Sequence, residues 1–254
     1  MTLAPETAVR SWHEPSGPAL RGTLVVLPGR GEDPQVYERF GRRLANDAYR
    51  VHAVAAPSDD PGRARDELLD VLAKADAEVP RIVVGSDAGA AFATYLAANG
   101  ELAAVAALVL AGLPARVSHS AATEWDEELG IRTACPAHQA RITAGGVRRA
   151  ALFADPPAAW LDPAIPGRLD LPLLGLHGRD DIVSPVAGAR GWYAAAPRAE
   201  LVTIAGGRHD ALNDQTHRTV AAAVVQFLER LRASAELTPI AVTEPLRAPV
   251  GTDA

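Results

Sequence analysis

The stretch covering residues 81–92 constrains the fold more than any other part of the chain. It reads RIVVGSDAGAAF: a short apolar run, an acid with a glycine two residues to either side, and an alanine-rich pattern typical of a helix. This order predicts a strand, a sharp turn and a helix. A residue held between Gly85 and Gly89 must adopt a strained backbone that presents its side chain, and only small neighbours let the strand and helix approach each other. The presented side chain is Asp87, because Ser86 lies one place too early in this frame.

The rest of the chain predicts the same kind of fold, because strand and helix patterns alternate along it. Alternation of this kind predicts an α/β architecture, a mostly parallel twisted sheet with helices on both faces. Ligands of such sheets bind at the carboxyl ends of the strands. The predicted strands are 7–12, 23–27, 50–55, 81–84, 105–111, 173–177 and 200–204, and the predicted helices are 33–47, 61–76, 88–100, 186–196 and 216–232.

The alternation breaks between the fifth and sixth of these predicted strands, 105–111 and 173–177. Residues 115–170 mix Ser-, Thr- and Pro-rich pieces with short amphipathic runs, and we interpret them as a small helical cap inserted into a core formed by residues 1–114 and 171–234. Trp125 and Trp160 lie in this cap and are candidates for the substrate pocket. Residues 235–254 lack periodicity and are expected to form a disordered tail.

Composition excludes several classes of function. The chain has 25 basic and 31 acidic residues, a net charge of −6 and no block of like charges, so nucleic acid is not an expected partner. No apolar stretch approaches the ~20 residues that span a bilayer, and no signal-peptide pattern is present; we expect a cytoplasmic protein without a membrane partner. Cys135 is the only cysteine, which excludes an intrachain disulfide and a cysteine-based metal cluster. Lys74, the only lysine, lies on a helical pattern, which argues against ATP and pyridoxal phosphate.

Three motifs resemble those of the α/β-hydrolase fold superfamily, including its lysophospholipase-, esterase- and dehalogenase-like members. The frame Gly85-x-Asp87-x-Gly89 resembles the nucleophile elbow, with aspartate where most members carry serine. The segment HGRDD at 177–181 resembles the H-G-x-x-D motif that carries the acid, and GGRH at 206–209 resembles the loop that carries the histidine. The resemblance implies Asp87, Asp181 and His209 as catalytic residues, in the chain order of that family.

A fourth motif, at residues 27–32, resembles the oxyanion loop H-G-x-G-E of the same family, with Pro28 in place of the histidine. The resemblance implies that the backbone N–H groups of Arg30 and Ala88 form an oxyanion hole. For the Arg30 side chain we expect a solvated or ion-paired position, and an anionic substrate group is the other interpretation.

An aspartate at the elbow restricts the chemistry. If Asp87 attacked an ester, the intermediate would expel the carboxylate (parent acid pKa near 4) rather than an alkoxide (comparable to hydroxide, pKa of water about 15.7), a preference of roughly 16 kcal/mol for reversal. Attack on a saturated carbon instead gives an alkyl-enzyme ester, which water activated by His209 can hydrolyse. Relatives within the family, the haloalkane dehalogenases and epoxide hydrolases, use this route.

Three functional hypotheses follow. Asp87 is the nucleophile of a hydrolase that cleaves a C–halogen or C–O bond of a small organic substrate; or His209 acts directly as a base in esterase-, thioesterase- or lyase-like chemistry, with Asp87 as its partner; or the fold is a non-catalytic ligand-binding module. In each case we expect a small-molecule ligand and no metal or cofactor. A homodimer is left open.

Overall fold

The computed structural model describes residues 9–115, 122 and 124–244. In these residues the chain forms a seven-stranded sheet of order β1-β3-β2-β4-β5-β6-β7, in which β1 pairs antiparallel with β3 and the other pairs are parallel. The predicted mostly parallel sheet is confirmed. The strands are β1 Arg10–Trp12, β2 Gly22–Leu27, β3 Tyr49–Ala53, β4 Arg81–Ser86, β5 Ala107–Ala111, β6 Leu173–Gly178 and β7 Ala199–Ile204.

Helices follow the strands as the periodicity predicts, with one difference. The predicted helix 33–47 is instead a 3-10 turn, Pro34–Tyr37, followed by an α-helix that begins at Glu38. Asp33 caps the turn by accepting a hydrogen bond from the N–H of Gln35 at 2.8 Å. The α-helices are α1 Glu38–Asn46, α2 Pro61–Lys74, α3 Ala88–Ala98, α4 Trp125–Arg132, α5 Pro136–Thr143, α6 Val186–Ala194 and α7 His217–Ala233.

The sheet separates two apolar clusters. Successive side chains of a strand point to opposite faces, and in β2 Val25 and Leu27 belong to one cluster while Leu24 and Val26 belong to the other. The first cluster includes residues of α2, α3 and α6, and the second includes residues of α1 and α7. The sheet is therefore covered on both faces, and its carboxyl edge is the place where loops can build a site.

Helices α4 and α5 lie between β5 and β6, in the segment predicted to be a cap. Its remaining described part contains three 3-10 turns, at Ala151–Phe153, Ala158–Leu161 and Pro166–Arg168. Of the predicted disordered tail, residues 235–244 are described and contain no helix or strand; residues 245–254 lie outside the described residues. In the described part of the chain, no helix combines the length and the apolar character needed to cross a membrane.

Candidate active site

The turn between β4 and α3 presents Asp87. Its backbone has φ 49° and ψ −120°, outside the regions that side chains normally occupy. The glycines of the frame are required by contact: a Cβ at Gly85 would lie 2.4 Å from Cα of Ala90, and a Cβ at Gly89 would lie 2.1 Å from the carbonyl oxygen of Leu27. Both distances are too short for any real side chain. Ser86 is the last residue of β4 and is buried, so the structure presents the aspartate and not the serine.

Asp181 and His209 meet in the loops that follow β6 and β7. His209 Nδ1 lies 2.9 Å from Asp181 Oδ2, and both side chains are buried. The other oxygen of Asp181 accepts the backbone N–H groups of Val183 and Ser184, each at 2.9 Å. His177 Nε2 lies 3.4 Å from Asp181 Oδ2, the oxygen that His209 also contacts. Asp181 is thus fixed by its own loop and can hold the imidazole of His209 in one orientation.

The imidazole turns its second nitrogen to the elbow. His209 Nε2 lies 3.3 Å from Asp87 Oδ1, an ion-pair contact without a well-directed hydrogen bond. Among the described residues, this buried nitrogen has no hydrogen-bond partner. The structure therefore brings together Asp87, His209 and Asp181, the three side chains that motif order selected, and leaves one nitrogen of His209 available to a reacting group.

The charges of this trio change the acidity of each member. Burial lowers the pKa of His209, but the charge and hydrogen bond of Asp181 and the nearby Asp87 outweigh it and raise that pKa to about 10. Burial raises the pKa of Asp181, yet the charge of His209 and the hydrogen bond of His177 hold it well below its usual range. In the resting site His209 is accordingly an imidazolium between two carboxylates.

Arg30 holds the carboxylate of Asp87 with three hydrogen bonds. Its Nε donates to Asp87 Oδ2 at 2.8 Å, its Nη2 donates to Oδ1 at 2.7 Å, and its backbone N–H donates to Oδ2 at 2.9 Å. Burial raises the pKa of Asp87, but the Arg30 charge and the His209 contact hold it well below its usual range. Both side chains of the pair are 5% exposed. The ion-paired position expected for Arg30 is correct, and the solvated one is wrong.

Of the two predicted oxyanion donors, the N–H of Arg30 is the one with a hydrogen bond to this carboxylate in the described structure. The N–H of Arg30 already contacts Oδ2 of Asp87, and Ala88 is the first residue of α3, where backbone N–H groups lack an intrahelical acceptor. Pro28 cannot donate, but the following N–H, of Gly29, donates to Glu32 Oε2 at 2.9 Å and helps to shape the loop. Oδ2 of Asp87 thus occupies a donor-rich position, and Oδ1 faces His209.

No family model matches the chain, and no curated protein matches it. Among solved structures, a soluble variant of monoglyceride lipase from Saccharomyces cerevisiae has a TM-score of 0.71 at 16% identity, covering 91% of this chain and 96% of that one. The monoacylglycerol lipase of Paleococcus ferrophilus has a TM-score of 0.70 at 15% identity and covers 90% and 99%. Esterase RhEst1 from Rhodococcus sp. has a TM-score of 0.65 at 20% identity and covers 88% and 94%.

The chain has the α/β-hydrolase fold. The sheet order and the elbow agree with this assignment, and the three motifs that suggested it lie at the carboxyl edge of the sheet. Identities this low show the fold alone, so the chemistry has to be argued from the side chains at that edge.

Within this α/β-hydrolase fold, a second cluster of buried charges lies next to Arg30, and motif reasoning missed it. Its centre is Arg132 at the end of α4, whose side chain is 1% exposed. Arg132 Nε donates to Glu128 at 2.9 Å, and its Nη1 lies 3.5 Å from Glu32 and 3.8 Å from Asp210. Its Nη2 also donates to the backbone carbonyl of Arg30 at 3.4 Å. The guanidinium therefore joins the predicted cap to the oxyanion loop and to the residue after His209.

Two further side chains complete the cluster. His138 of α5 lies 3.0 Å from Asp210, and the hydroxyl of Tyr37 donates to Glu32. Burial, together with the charge of Asp210, raises the pKa of Glu32. A guanidinium at this position satisfies carboxylates that would otherwise be buried without a counter-ion. In the sequence, the only signal for this charged cluster was Glu32, the last residue of the oxyanion motif.

The predicted pocket tryptophans do not share one environment. Trp160 is buried in the core cluster beside α3, where its ring centroid lies 4.7 Å from that of Phe92. Trp125 lies at the start of α4, donates through its indole N–H to Thr143 at 3.2 Å and is covered by Arg149, whose guanidinium carbon lies 4.9 Å from the ring centroid. Both have packing partners, and contact with a substrate stays a prediction for each.

Proposed function

We propose that the chain is a hydrolase of a small organic substrate in which Asp87 is the nucleophile. The observation that carries the proposal is the placement of its two oxygens: Oδ2 accepts the N–H of Arg30 at 2.9 Å, and Oδ1 lies 3.3 Å from His209 Nε2. The likeness in fold to proteins named lipase and esterase supports the hydrolase class.

In the first step, Oδ1 of Asp87 attacks a saturated carbon of the substrate. A C–O bond to the enzyme forms while the C–halogen bond breaks, and the electron pair leaves with the halide. With a C–O substrate the leaving oxygen takes a proton, and the His209 imidazolium is the adjacent acid. The oxygen Oδ2 becomes the carbonyl oxygen of an alkyl-enzyme ester.

The second step follows from the change in charge. Esterification removes the negative charge of Asp87, one of the two carboxylates that raise the pKa of His209 to about 10. The pKa of His209 therefore falls once the ester has formed, and the imidazolium gives up its Nε2 proton, to the leaving oxygen of a C–O substrate or to solvent when a halide has left. Nε2 can then accept a proton from water. The water attacks the carboxyl carbon, the oxyanion develops on Oδ2 beside the Arg30 and Ala88 N–H groups, and the product alcohol leaves with the proton from His209.

A second candidate function is favoured by one observation. Arg30 donates to both oxygens of Asp87, at 2.8 and 2.7 Å, which reduces the nucleophilicity of the carboxylate. His209 would then act directly as a base in esterase-, thioesterase- or lyase-like chemistry. The proton held by His209 between two carboxylates opposes this alternative, since an imidazolium cannot accept another proton.

The experiment traps the ester. With a halogenated substrate, the His209→Gln variant should accumulate an adduct on Asp87, because loss of halide needs no acid and ester formation then needs only the carboxylate, whereas hydrolysis needs the base. Intact-mass analysis after incubation with haloalkanes, epoxides and small halogenated acids should show a mass increase that maps to the peptide containing Asp87. The double variant His209→Gln/Asp87→Asn should show no mass increase. Turnover by the unmodified protein without an adduct would favour His209 as direct base, and no turnover of any substrate would favour a binding module.

A matched pair of substitutions tests the orienting acid. Asp180 and Asp181 are neighbours, but Asp181 is buried against His209 whereas Asp180 is exposed. We expect Asp181→Asn to slow ester hydrolysis by about 10²–10⁴-fold, the range for lost acid–base assistance, while Asp180→Asn leaves the rate unchanged. Equal effects of the two substitutions would contradict the role of Asp181.

A further inference from the structure

The guanidinium of Arg30 occupies the reaction site itself. It is buried, and two of its five N–H donors are used by Asp87. A third, on Nη1, donates to the carbonyl oxygen of Ala154 in the predicted cap at 2.8 Å, which fixes the plane of the group. The Arg30 side chain is therefore an oriented, bidentate hydrogen-bond donor to the two oxygens of the proposed nucleophile, Asp87.

This arrangement creates a difficulty for a neutral substrate. Oδ1 of Asp87 must free a lone pair to attack carbon, yet Arg30 Nη2 and His209 Nε2 both lie against it, at 2.7 and 3.3 Å. Loosening the pair would leave a buried guanidinium without a counter-ion, which is strongly unfavourable. A substrate that brings its own carboxylate removes the difficulty, because it can replace Asp87 as the partner of Arg30.

Among the neighbouring charged groups of the described site, Asp87 is the one that pairs with Arg30. The other buried guanidinium next to it, Arg132, already has three carboxylates around it, those of Glu32, Glu128 and Asp210. Within the described site, the only carboxylate that contacts Arg30 is that of Asp87. An anion that enters the site therefore competes for Arg30 with the proposed nucleophile alone.

We propose that Arg30 binds the carboxylate of the substrate, and that the substrate is a small carboxylic acid with its leaving group on the carbon next to the carboxylate. The argument for that position is distance: Arg30 Nη2 lies 2.7 Å from Asp87 Oδ1, so a carboxylate bound to Arg30 would lie next to Oδ1, and the carbon attached to the carboxylate is the first saturated carbon within reach of that oxygen. The proposal rests on the proposed function. During the covalent step, the Asp87 oxygen bonds to that carbon and the leaving group departs as an anion, which restores the charge of the resting site.

A binding experiment tests the role of Arg30 without any turnover. Asp87→Asn removes the internal anion, so acetate should bind this variant at least about tenfold more tightly than it binds the unmodified protein. Acetamide, which is neutral and of similar shape, should bind neither. Calorimetry and the rise in melting temperature with added acetate measure the effect. The double variant Asp87→Asn/Arg30→Met should lose it. Equal responses to acetate and acetamide in a folded Asp87→Asn variant would overturn the proposal.

A kinetic comparison uses the unmodified protein and so does not depend on the folding of a variant. With chloroacetate and chloroacetamide as a matched pair, kcat/KM should favour the carboxylate by about 100-fold. A preference for the amide would overturn the inference while leaving the proposed function intact. Tight acetate binding to Asp87→Asn, with no adduct from any substrate in the trapping experiment, would support Arg30 as an anion site and contradict the nucleophilic role of Asp87.

Discussion

At the scale of single residues, the protonation of His209 links the site to stability. Its pKa is raised to about 10 in the folded protein, above the ordinary value of about 6.5. A group with a raised folded pKa adds stability that is complete below the unfolded pKa and is lost as pH rises through the folded pKa. The window in this protein therefore runs from about pH 6.5 to about pH 10.

We predict that the stability advantage of the unmodified protein over His209→Gln shrinks across this window. Between pH 6.5 and pH 9 the difference in free energy of unfolding should fall by at least about 1 kcal/mol, because each unit of pKa shift corresponds to about 1.4 kcal/mol. Denaturant unfolding of both proteins at several pH values measures it. Parallel stability curves would show that His209 is not held as an imidazolium.

Individual residues also show how far sequence reasoning reaches. Asp87 was predictable because the frame Gly85-x-Asp87-x-Gly89 encodes a local backbone shape, and local shape depends on neighbours in the chain. The pairing of Arg30 with Asp87 was not predictable, because the two residues are 57 positions apart in the chain and no local sequence pattern indicates their contact. Asp181 and His209 were placed through motif order, which carries long-range information that periodicity lacks.

At the scale of elements, α4 and the oxyanion loop are coupled through Arg132. The strands and most helices were predictable from apolar runs and periodicity, because they bury regular faces against the sheet. The contacts of α4 were not predictable. Arg132 contacts Glu32, which lies 100 residues earlier in the chain, and it is a charged side chain in a segment whose sequence is otherwise irregular. The turn Pro34–Tyr37 was also misassigned, as helical spacing does not distinguish a 3-10 turn from the first turn of an α-helix.

We predict that Arg132→Met is strongly destabilising. It leaves Glu32, Glu128 and Asp210 buried without their cation, and removing one partner of a buried ion pair costs about 3–5 kcal/mol. The matched control is Arg149→Met, which changes an exposed guanidinium over Trp125 and should cost at most about 1 kcal/mol. Chemical denaturation compares the two variants. Similar losses in both would mean that the Arg132 cluster does not anchor α4.

At the scale of the whole molecule, the sheet collects distant parts of the chain at one edge. The elbow follows β4, and the loops of Asp181 and His209 follow β6 and β7. Because these strands are parallel, the three loops at their carboxyl ends lie at the same edge of the sheet. The fold could therefore be predicted from the strand and helix pattern, without knowledge of which side chains contact each other. The substrate could not be predicted, because the irregular segment between β5 and β6 offers Trp125 and Trp160 as pocket candidates but no periodic pattern that would define the shape of a pocket.

The buried pair of Arg30 and Asp87 has a consequence for the evolution of this chain. Replacing Asp87 by serine alone would leave the buried guanidinium of Arg30 without a counter-ion. Replacing Arg30 alone would leave the buried carboxylate of Asp87 without its cation, so each single substitution passes through a protein of low stability. Positions 30 and 87 should therefore covary among homologues: sequences with serine at position 87 should lack arginine at position 30. An alignment of relatives around both loops tests this, and frequent Arg30 opposite serine would show that the two positions drift independently.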